Sequence, residues 1–390
     1  MLTSLSLIFI IGIIMGSIFD KLKLPKLIGM ILTGIILGPY VLNLLDNSLL
    51  SISADLRQIA LVIILTRAGL ALDLNSLKKV GRPAILMCFV PAIFEIIGFV
   101  VLGPLLFNLN LVDSLILGSV IAAVSPAVIV PRMIALKEKG YGKKNSIPEL
   151  ILAGASVDDI FVITLFSIFT SLAKGGNFNI TTILSIPISV ILGIILGITC
   201  SMILIILFKK VHIRDTIKVL IILSVSFLFI TLEDLLKGIV PLSGLLAVMS
   251  LGVTLLRQYP TLASRISTKY SKLWLGAEVL LFVLVGATVN INYALKSGIA
   301  AILIIFGALF FRIIGVLLSL IKTNLSYKER IYCVMAYLPK ATVQAAIGAV
   351  PLSQGLACGE IVLTIAVLSI IITAPIGAIC MDKFHSRLLK

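Results

Sequence analysis

The chain has 390 residues, of which 60% are hydrophobic and only 13% are charged. A soluble domain is roughly half apolar and a quarter charged, so this composition excludes an ordinary soluble protein and indicates a membrane protein. The net charge of +15 is distributed over short polar segments between apolar runs. This distribution argues against a nucleic-acid partner and favours membrane lipids as the surroundings.

Apolar segments of about 20 residues recur along the whole chain, and each is long enough to cross a hydrocarbon core about 30 Å thick. We predict thirteen such segments, at about 2–19, 26–45, 55–74, 82–107, 112–136, 147–173, 183–208, 216–236, 239–257, 272–290, 296–321, 328–351 and 359–381. The sequence therefore predicts an all-α integral membrane protein, with residues 1–390 forming a single membrane domain.

Positive charge is distributed unequally between the two ends of these segments. Of the 32 Lys and Arg residues, we assign 25 to loops on one side and three to the segments themselves. The other side holds only Arg57, Lys174, Lys237 and Lys296. Because basic loops stay in the cytoplasm, this asymmetry predicts an amino terminus outside the cell membrane and a carboxyl terminus in the cytoplasm.

Proline interrupts two of the predicted helices near their middles. The fifth segment is interrupted at Pro126 and the twelfth at Pro339. A proline inside a membrane helix frees backbone groups, which are tolerated where protein, water or an ion satisfies them. A charged residue lies in the segment before each break, Glu95 before the first and Arg312 before the second. Two matching breaks indicate inverted repeats of the kind found in secondary transporters.

Asp158 and Asp159 lie near the middle of the sixth segment, where an ionised carboxylate costs several kcal/mol unless it is compensated. Neighbouring side chains on a helix point about 100° apart, so one carboxylate can face a cavity while the other faces an adjacent helix. Carboxylate oxygens bind both protons and hard cations, so the two would compete for this pair. The structural alternative is a buried acidic pair held by basic residues. We favour ion binding and proton carrying by Asp158 and Asp159.

Further charged residues lie inside the predicted helices. We interpret Glu95 and Arg312 as a structural ion pair buried in the membrane. Lys340 follows a helix break, where its ammonium would offset the partial negative charge at the carboxyl end of a half-helix. Arg67 and Asp73 lie close enough to the membrane interface for their side chains to reach water, so we interpret them as anchors.

Polar uncharged side chains near the breaks and the aspartates could supply neutral oxygens to a cation. The candidates are Ser125, Ser156, Thr342 and Gln344. Hydroxyl and amide groups also commonly form hydrogen bonds between membrane helices, so both roles stay open. No residue pattern indicates a cofactor, and a cation bound here would be a transported substrate.

Six segments carry a resemblance to a known family. They are Ile28–Pro39, Arg67–Leu70, Ala123–Pro131, Ser156–Ile160, Leu338–Ala346 and Ile372–Gly377. Through them the chain resembles the cation:proton antiporter superfamily, specifically its NHA-type sodium/proton exchangers, along nearly its full length. The run from Leu338 to Ala346, which reads Leu-Pro-Lys-Ala-Thr-Val-Gln-Ala-Ala, is far more specific than the short aspartate pair.

The resemblance implies a homodimer in which a mobile ion-transporting core moves against scaffold helices to give alternating access. It implies that two broken helices cross in the core beside Asp158 and Asp159, which bind Na⁺ or Li⁺ in exchange for protons. By this resemblance the core comprises about 82–173 and 296–381, and the dimerisation scaffold comprises about 1–74 and 183–290.

One position departs from many bacterial relatives with the aspartate pair. Those relatives are similar to one another in having a lysine at this position, and that lysine is thought to partner the first aspartate. This chain has Arg312 instead. Glu95 here takes over as the partner of Arg312, which resembles the NHA type. This departure leaves the charge moved per transport cycle open.

Buried acidic residues and Na⁺ sites also occur in proteins with other functions. An intramembrane aspartyl protease brings its two aspartates together from different helices, an arrangement that adjacent aspartates do not suggest. A K⁺/H⁺ antiporter and a Na⁺-coupled symporter of organic solutes share the expected fold and stay open as alternatives. A channel is disfavoured because the sequence shows no repeated ring or selectivity filter. The acidic pair favours proton competition, so we expect an antiporter and not an enzyme.

Overall fold

The computed structural model describes residues 1–71, 80–173, 180–236 and 240–389, with the side chains of 156, 160 and 180–187 outside the description. Within these ranges the regular secondary structure is entirely helical. The predicted all-α class is therefore confirmed for the described part of the chain.

The chain forms helices throughout its length. In chain order they are α1 (Leu2–Lys21), α2 (Lys26–Leu37), α3 (Asn47–Ser51), α4 (Ser53–Ala71), α5 (Arg82–Met87), α6 (Val90–Phe107), α7 (Leu111–Ile121), α8 (Pro126–Glu138), α9 (Ile147–Ala173), α10 (Ile180–Lys210), α11 (Asp215–Leu235), α12 (Gly244–Gln258), α13 (Pro260–Ala287), α14 (Ile291–Ser319), α15 (Tyr327–Ala336), α16 (Thr342–Ile347), α17 (Val350–Ser353) and α18 (Gly359–Leu388).

These helices pack into two units. The first unit comprises Met1–Ala54, Asp73–Thr170 and Val279–Lys390, and the second comprises Asp55–Leu72 and Ser171–Glu278. All of the residues predicted to form the ion site belong to the first unit. The predicted division into an ion-transporting core and a dimerisation scaffold has other boundaries and stays a prediction.

In the first unit, α6 packs extensively against α14. The approach is close, because a Cβ on Gly315 of α14 would lie only 2.8 Å from the Cα of Pro91 in α6. Small residues at helix contacts allow this kind of packing in a membrane, where no hydrophobic force drives helices together. The contact brings Glu95 of α6 against Arg312 of α14.

In the second unit, α12 packs against both α10 and α11. A Cβ on Gly197 of α10 would lie 2.3 Å from the carbonyl oxygen of Ala247 in α12. At the start of α12, the backbone N–H of Gly244 donates to the Glu233 carboxylate of α11 across 2.7 Å. Close backbone approach and a capped helix start therefore hold these helices together.

Nine helical stretches of the described residues are long and apolar enough to cross a membrane, when α5 with α6 and α7 with α8 each count as one. Shorter apolar helices lie at Lys26–Leu37, Gly244–Gln258 and Thr342–Ser353. The prediction of a multi-pass membrane protein is confirmed. The count of thirteen spans, the inverted repeats and the orientation of the termini stay predictions.

For two predicted segments, the structure has a helix boundary close to a proline where the prediction has none. The fourth segment, predicted as one helix over 82–107, is interrupted between α5 and α6. Pro91, in the first turn of α6, has no N–H to donate to the preceding turn, so one hydrogen bond that would continue α5 into α6 is missing there. The second segment, predicted to reach residue 45, ends at Leu37, just ahead of Pro39.

Helix α13 begins at Pro260, well before the predicted start at residue 272. In its first part Leu262, Ile266 and Tyr270 are fully buried, and their spacing of four residues places them on one face. A search for apolar runs long enough to cross a membrane does not detect an amphipathic helix. The predicted loop before this segment was therefore wrong.

Candidate functional site

The two interrupted helices meet at their breaks. The chain is non-helical over 122–125, between α7 and α8, and over 337–341, between α15 and α16. The backbone N–H of Ser125 donates to the carbonyl of Pro339 across 2.9 Å. One break therefore supplies a hydrogen-bond partner for a backbone group that the other leaves free, as a membrane interior requires.

Helix α18 positions the second break. A Cβ on Gly377 would lie 2.3 Å from Cγ of Pro339, so only glycine leaves room for the proline ring. One turn earlier on α18, the Thr373 hydroxyl accepts from the backbone N–H of Lys340 across 2.9 Å. A single turn of α18 thus contacts two consecutive residues of the break.

Gln344 joins the two breaks through its side-chain amide. Its Nε2 donates to the carbonyl oxygens of Ile121, at 3.0 Å, and Ala123, at 2.8 Å. Its Oε1 accepts from the backbone N–H of Ala341 across 2.8 Å. Gln344 therefore satisfies three backbone groups at the interrupted ends, and buried backbone groups need such partners.

Glu95 accepts hydrogen bonds from two basic side chains. Its Oε2 lies 2.6 Å from Nη1 of Arg312 and 2.6 Å from Nζ of Lys340, and all three side chains are 1% exposed. Buried charges are tolerated when they are paired, and here one carboxylate offsets two cations. The sequence prediction paired Glu95 with Arg312 alone and assigned Lys340 to a helix end. The structure adds the Lys340 ammonium to the pair.

The Arg312 guanidinium also reaches both breaks and the aspartates. Its Nε donates to the carbonyl of Tyr337 across 2.6 Å, and its Nη1 donates to the carbonyl of Ala122. Its Nη2 lies 3.4 Å from Oδ2 of Asp158. Charge-assisted N–H···O bonds are normally about 2.7–2.9 Å long, so the contact with Asp158 is longer than a normal bond of this kind.

Asp158 and Asp159 both present a free oxygen. Oδ2 of Asp158 accepts from the backbone N–H of Val124, in the first break, across 2.7 Å. Oδ1 of Asp158 and Oδ1 of Asp159 are buried, and neither has a hydrogen-bond partner within the described residues. Asp158 is fully buried whereas Asp159 is partly exposed, as expected for neighbours that point about 100° apart on a helix.

Each of the two helix breaks has a residue with a neutral hydroxyl group beside it. Oγ of Ser125 and Oγ1 of Thr342, each beside a break, are buried and without a hydrogen-bond partner in the part of the chain that the structure describes. With the aspartates they offer the oxygen ligands that a hard cation requires. The Ser156 side chain and Asp73 lie outside the described residues. Arg67 lies in α4 and is partly exposed, and its anchoring role stays a prediction.

Tyr337 and Thr373 belong to this cluster although the sequence did not predict them. The Tyr337 ring packs against Arg312, with the guanidinium carbon 5.5 Å from the ring centroid. Neither residue carries a charge, so a search for misplaced charges does not find them. The available signal was their position, because Tyr337 directly precedes Leu338–Ala346 and Thr373 lies within Ile372–Gly377.

Comparison with known proteins identifies the family. Residues 5–382 match the sequence model of the family described as sodium/hydrogen exchanger, transmembrane. The chain is 32% identical to human sodium/hydrogen exchanger 9B2, over 98% of this chain and 74% of that protein. It is 33% identical to human sodium/hydrogen exchanger 9B1, over 100% of this chain and 78% of that protein.

The fold is also similar to that of a solved structure. The sodium proton antiporter MjNhaP1 from Methanocaldococcus jannaschii superposes with a TM-score of 0.85, covering 99% of this chain and 98% of that one at 21% identity. This likeness shows a shared fold, whereas the sequence matches show descent. The chain belongs to the transmembrane sodium/hydrogen exchanger family, as an NHA-type member of the cation:proton antiporters, which are transporters rather than enzymes.

Proposed function

We propose that the protein exchanges Na⁺ or Li⁺ for H⁺ across the cell membrane by alternating access, with cation and proton competing for Asp158 and Asp159. The observation that carries this proposal is the buried Oδ1 of each aspartate, which has no hydrogen-bond partner among the described residues and lies near two helix breaks that are joined to each other. Family membership supports the same conclusion, since the relatives are named as sodium/hydrogen exchangers.

The cation and the proton use the same oxygens. A dehydrated hard cation takes oxygen ligands, and the carboxylates of Asp158 and Asp159, with the hydroxyls of Ser125 and Thr342 as accessories, supply them. Protonation turns an accepting carboxylate oxygen into a donor and removes the charge that attracts the cation. Each ion therefore displaces the other, which coupled exchange requires.

Arg312 is not the proton carrier in this scheme, because a guanidinium keeps its proton. Its short bond to Glu95 supports a structural role for that ion pair, in which Lys340 takes part. Proton carrying is thus left to Asp158 and Asp159.

We further propose a homodimer in which the core, about 82–173 and 296–381, moves against the scaffold, about 1–74 and 183–290. The segments around the two breaks would be inverted repeats, with the amino terminus outside and the carboxyl terminus in the cytoplasm. The contact between Glu95 and Arg312, which occupy matching positions before the two breaks, supports a repeat relation.

Ion flux in proteoliposomes tests the function. A pH gradient is imposed, Na⁺, Li⁺ or K⁺ is added, and a pH-sensitive dye reports collapse of the gradient, with protein-free liposomes as the control. We expect collapse with Na⁺ and Li⁺ but not with K⁺. Collapse with K⁺ alone would mean K⁺/H⁺ exchange, and no collapse with any cation would refute antiport. Repeating the assay with the membrane voltage clamped by an ionophore gives the charge moved per cycle.

A further inference from the structure

Tyr337 contacts both Arg312 and the helix that carries Asp158. Its carbonyl accepts from Nε of Arg312 across 2.6 Å, and its ring centroid lies 5.5 Å from the guanidinium carbon. Its hydroxyl fills a hollow at Gly154, where a Cβ would lie 2.0 Å from Oη. Gly154 and Asp158 are four residues apart on α9 and share one helix face. Tyr337 therefore packs against both Arg312 and this face of α9, beside the 3.4 Å contact of Arg312 with Asp158.

Arg312 is bonded more closely on the side away from Asp158. Its Nη1 lies 2.6 Å from Glu95 and its Nε 2.6 Å from the Tyr337 carbonyl, but its Nη2 is 3.4 Å from Asp158. Opposite charges this close attract strongly where the effective dielectric constant is low, and the bonds of Arg312 to Glu95 and to the carbonyls of Ala122 and Tyr337 oppose that attraction. The ring packed on the guanidinium is in position to add to these bonds through a cation–π contact.

We propose that Tyr337 is a positioning residue that sets cation affinity. It holds Arg312 toward Glu95, so that Asp158 stays available to the transported cation. This inference rests on the proposed exchange at Asp158 and Asp159. Without the ring, the guanidinium moves to a bond of normal length with Asp158 and competes with the cation for that carboxylate. Apparent affinity then falls, while the rate at saturating cation is largely retained.

Tyr337→Leu tests the ring, because it keeps the backbone carbonyl that Arg312 uses. In the proteoliposome assay we expect the apparent KM for Na⁺ to rise about tenfold, as loss of a desolvated cation–π contact implies. The maximal rate should be largely retained, because Na⁺ at a saturating concentration displaces the guanidinium from Asp158. Tyr337→Phe keeps the ring and should retain a KM close to that of the wild type.

Gly154→Ala tests the contact between the Tyr337 side chain and α9 by changing the residue on α9. The added methyl would lie 2.0 Å from Oη of Tyr337 and 2.9 Å from Cβ of Met87, so it displaces the tyrosine and should raise the KM. Adding Tyr337→Phe removes the atom at 2.0 Å and leaves Cζ at 3.3 Å. We expect the double variant to have a lower KM than Gly154→Ala alone, a non-additive result that a general loss of packing does not give.

Tyr332→Leu is the matched control. Tyr332 is fully buried and lies within α15, five positions before Tyr337, which follows the end of that helix. Its replacement should lower thermal stability without raising the KM for Na⁺. An unchanged KM in Tyr337→Leu, or an equal rise in Tyr332→Leu, would overturn the positioning role.

The two proposals fail in different ways. If the wild-type protein does not exchange Na⁺ for H⁺, the proposed function is wrong whatever Tyr337 does. If the wild type exchanges but the KM is insensitive to Tyr337, only the positioning role is wrong. If Tyr337→Leu does not fold, the positioning role is tested by comparing Gly154→Ala with the double variant that also carries Tyr337→Phe. Equal KM values for Na⁺ in those two variants would overturn the inference.

Discussion

The backbone N–H of Ser125 and the backbone carbonyl of Pro339 are joined by a 2.9 Å hydrogen bond across the two helix breaks. Backbone groups inside a bilayer have no bulk water as an alternative partner, so this bond ties the geometry of one break to that of the other. Substitutions that displace either break are therefore expected to disturb both, and with them the surroundings of the aspartate pair.

Asp159→Asn is expected to abolish Na⁺-driven proton flux, because a neutral amide cannot alternate between a cation and a proton. The protein should still fold, since an amide of similar shape replaces a buried charge. Flux in proteoliposomes is the measurement, and thermal unfolding in detergent is the control for folding.

Asp158→Asn should weaken Na⁺ affinity but leave residual flux. Full flux in Asp159→Asn would contradict its assignment as the principal ion-binding residue.

Glu95→Gln is expected to reduce the free energy of unfolding by about 3–5 kcal/mol, as for a buried ion pair that loses one partner. The change strands the charges of Arg312 and Lys340, which share one carboxylate oxygen. Adding Arg312→Gln removes one stranded charge, so the double variant should recover part of the loss. Unfolding of the single and double variants in detergent gives the coupling energy.

A second cycle with Lys340→Gln separates the contributions of the two cations, and recovery is expected there too. Lys26 and Asp20 serve as the control pair, because they lie 3.4 Å apart but are each 58% exposed. An exposed pair should show a coupling energy below about 1 kcal/mol. Losses that merely add in both buried cycles would mean that Glu95 does not pair with either cation.

Gln344→Leu is expected to destabilise the protein strongly and to abolish flux. The substitution removes three hydrogen bonds to backbone groups at the two breaks. Each buried group left unsatisfied costs about 1–3 kcal/mol. Gln354→Leu, at an exposed position after α17, is the control and should unfold like the wild type. Wild-type stability in Gln344→Leu would show that this side chain does not hold the breaks.

Gly377→Ala is expected to lower stability and flux together, because its Cβ would lie 2.3 Å from Cγ of Pro339. Overpacking of this kind costs about 1–3 kcal/mol and would shift the second break. Gly298→Ala in α14 is the control, since no heavy atom of the described residues lies within 4 Å of the added Cβ. Alanine is also the better helix former, so this control should be at least as stable as the wild type. Equal stability of the two variants would argue against close packing at Gly377.

The class of the fold and the places of its buried charges could be predicted because both leave local marks in the sequence. Apolar runs reveal a membrane protein by length alone. Asp158, Asp159 and Arg312 stand out as charges within such runs, and Pro126 and Pro339 stand out as residues that remove a helix hydrogen bond. Each of these signals needs only neighbouring residues to be recognised.

The sharing of Glu95 could not be predicted, because it depends on three segments that are far apart in the chain. Charge alone allows Glu95 to pair with either Arg312 or Lys340, and sequence spacing gives no distance between helices. The role of Gln344 was hidden for a related reason. An amide in a membrane helix can bind an ion or another helix, and only the positions of the opposing carbonyls decide between them.

The hydrogen bonds of Gln344 also constrain the order in which the protein can be assembled. The carbonyls of Ile121 and Ala123 are bonded by a side chain that follows them by 223 and 221 residues. During synthesis, the first broken helix must therefore wait for the twelfth predicted segment before its exposed carbonyls gain their final partner. Unsatisfied backbone groups cost several kcal/mol each in a bilayer, so the nascent first half has no stable form of this break. A chain that terminates ahead of Gln344 is accordingly expected to be removed by membrane proteolysis rather than to accumulate.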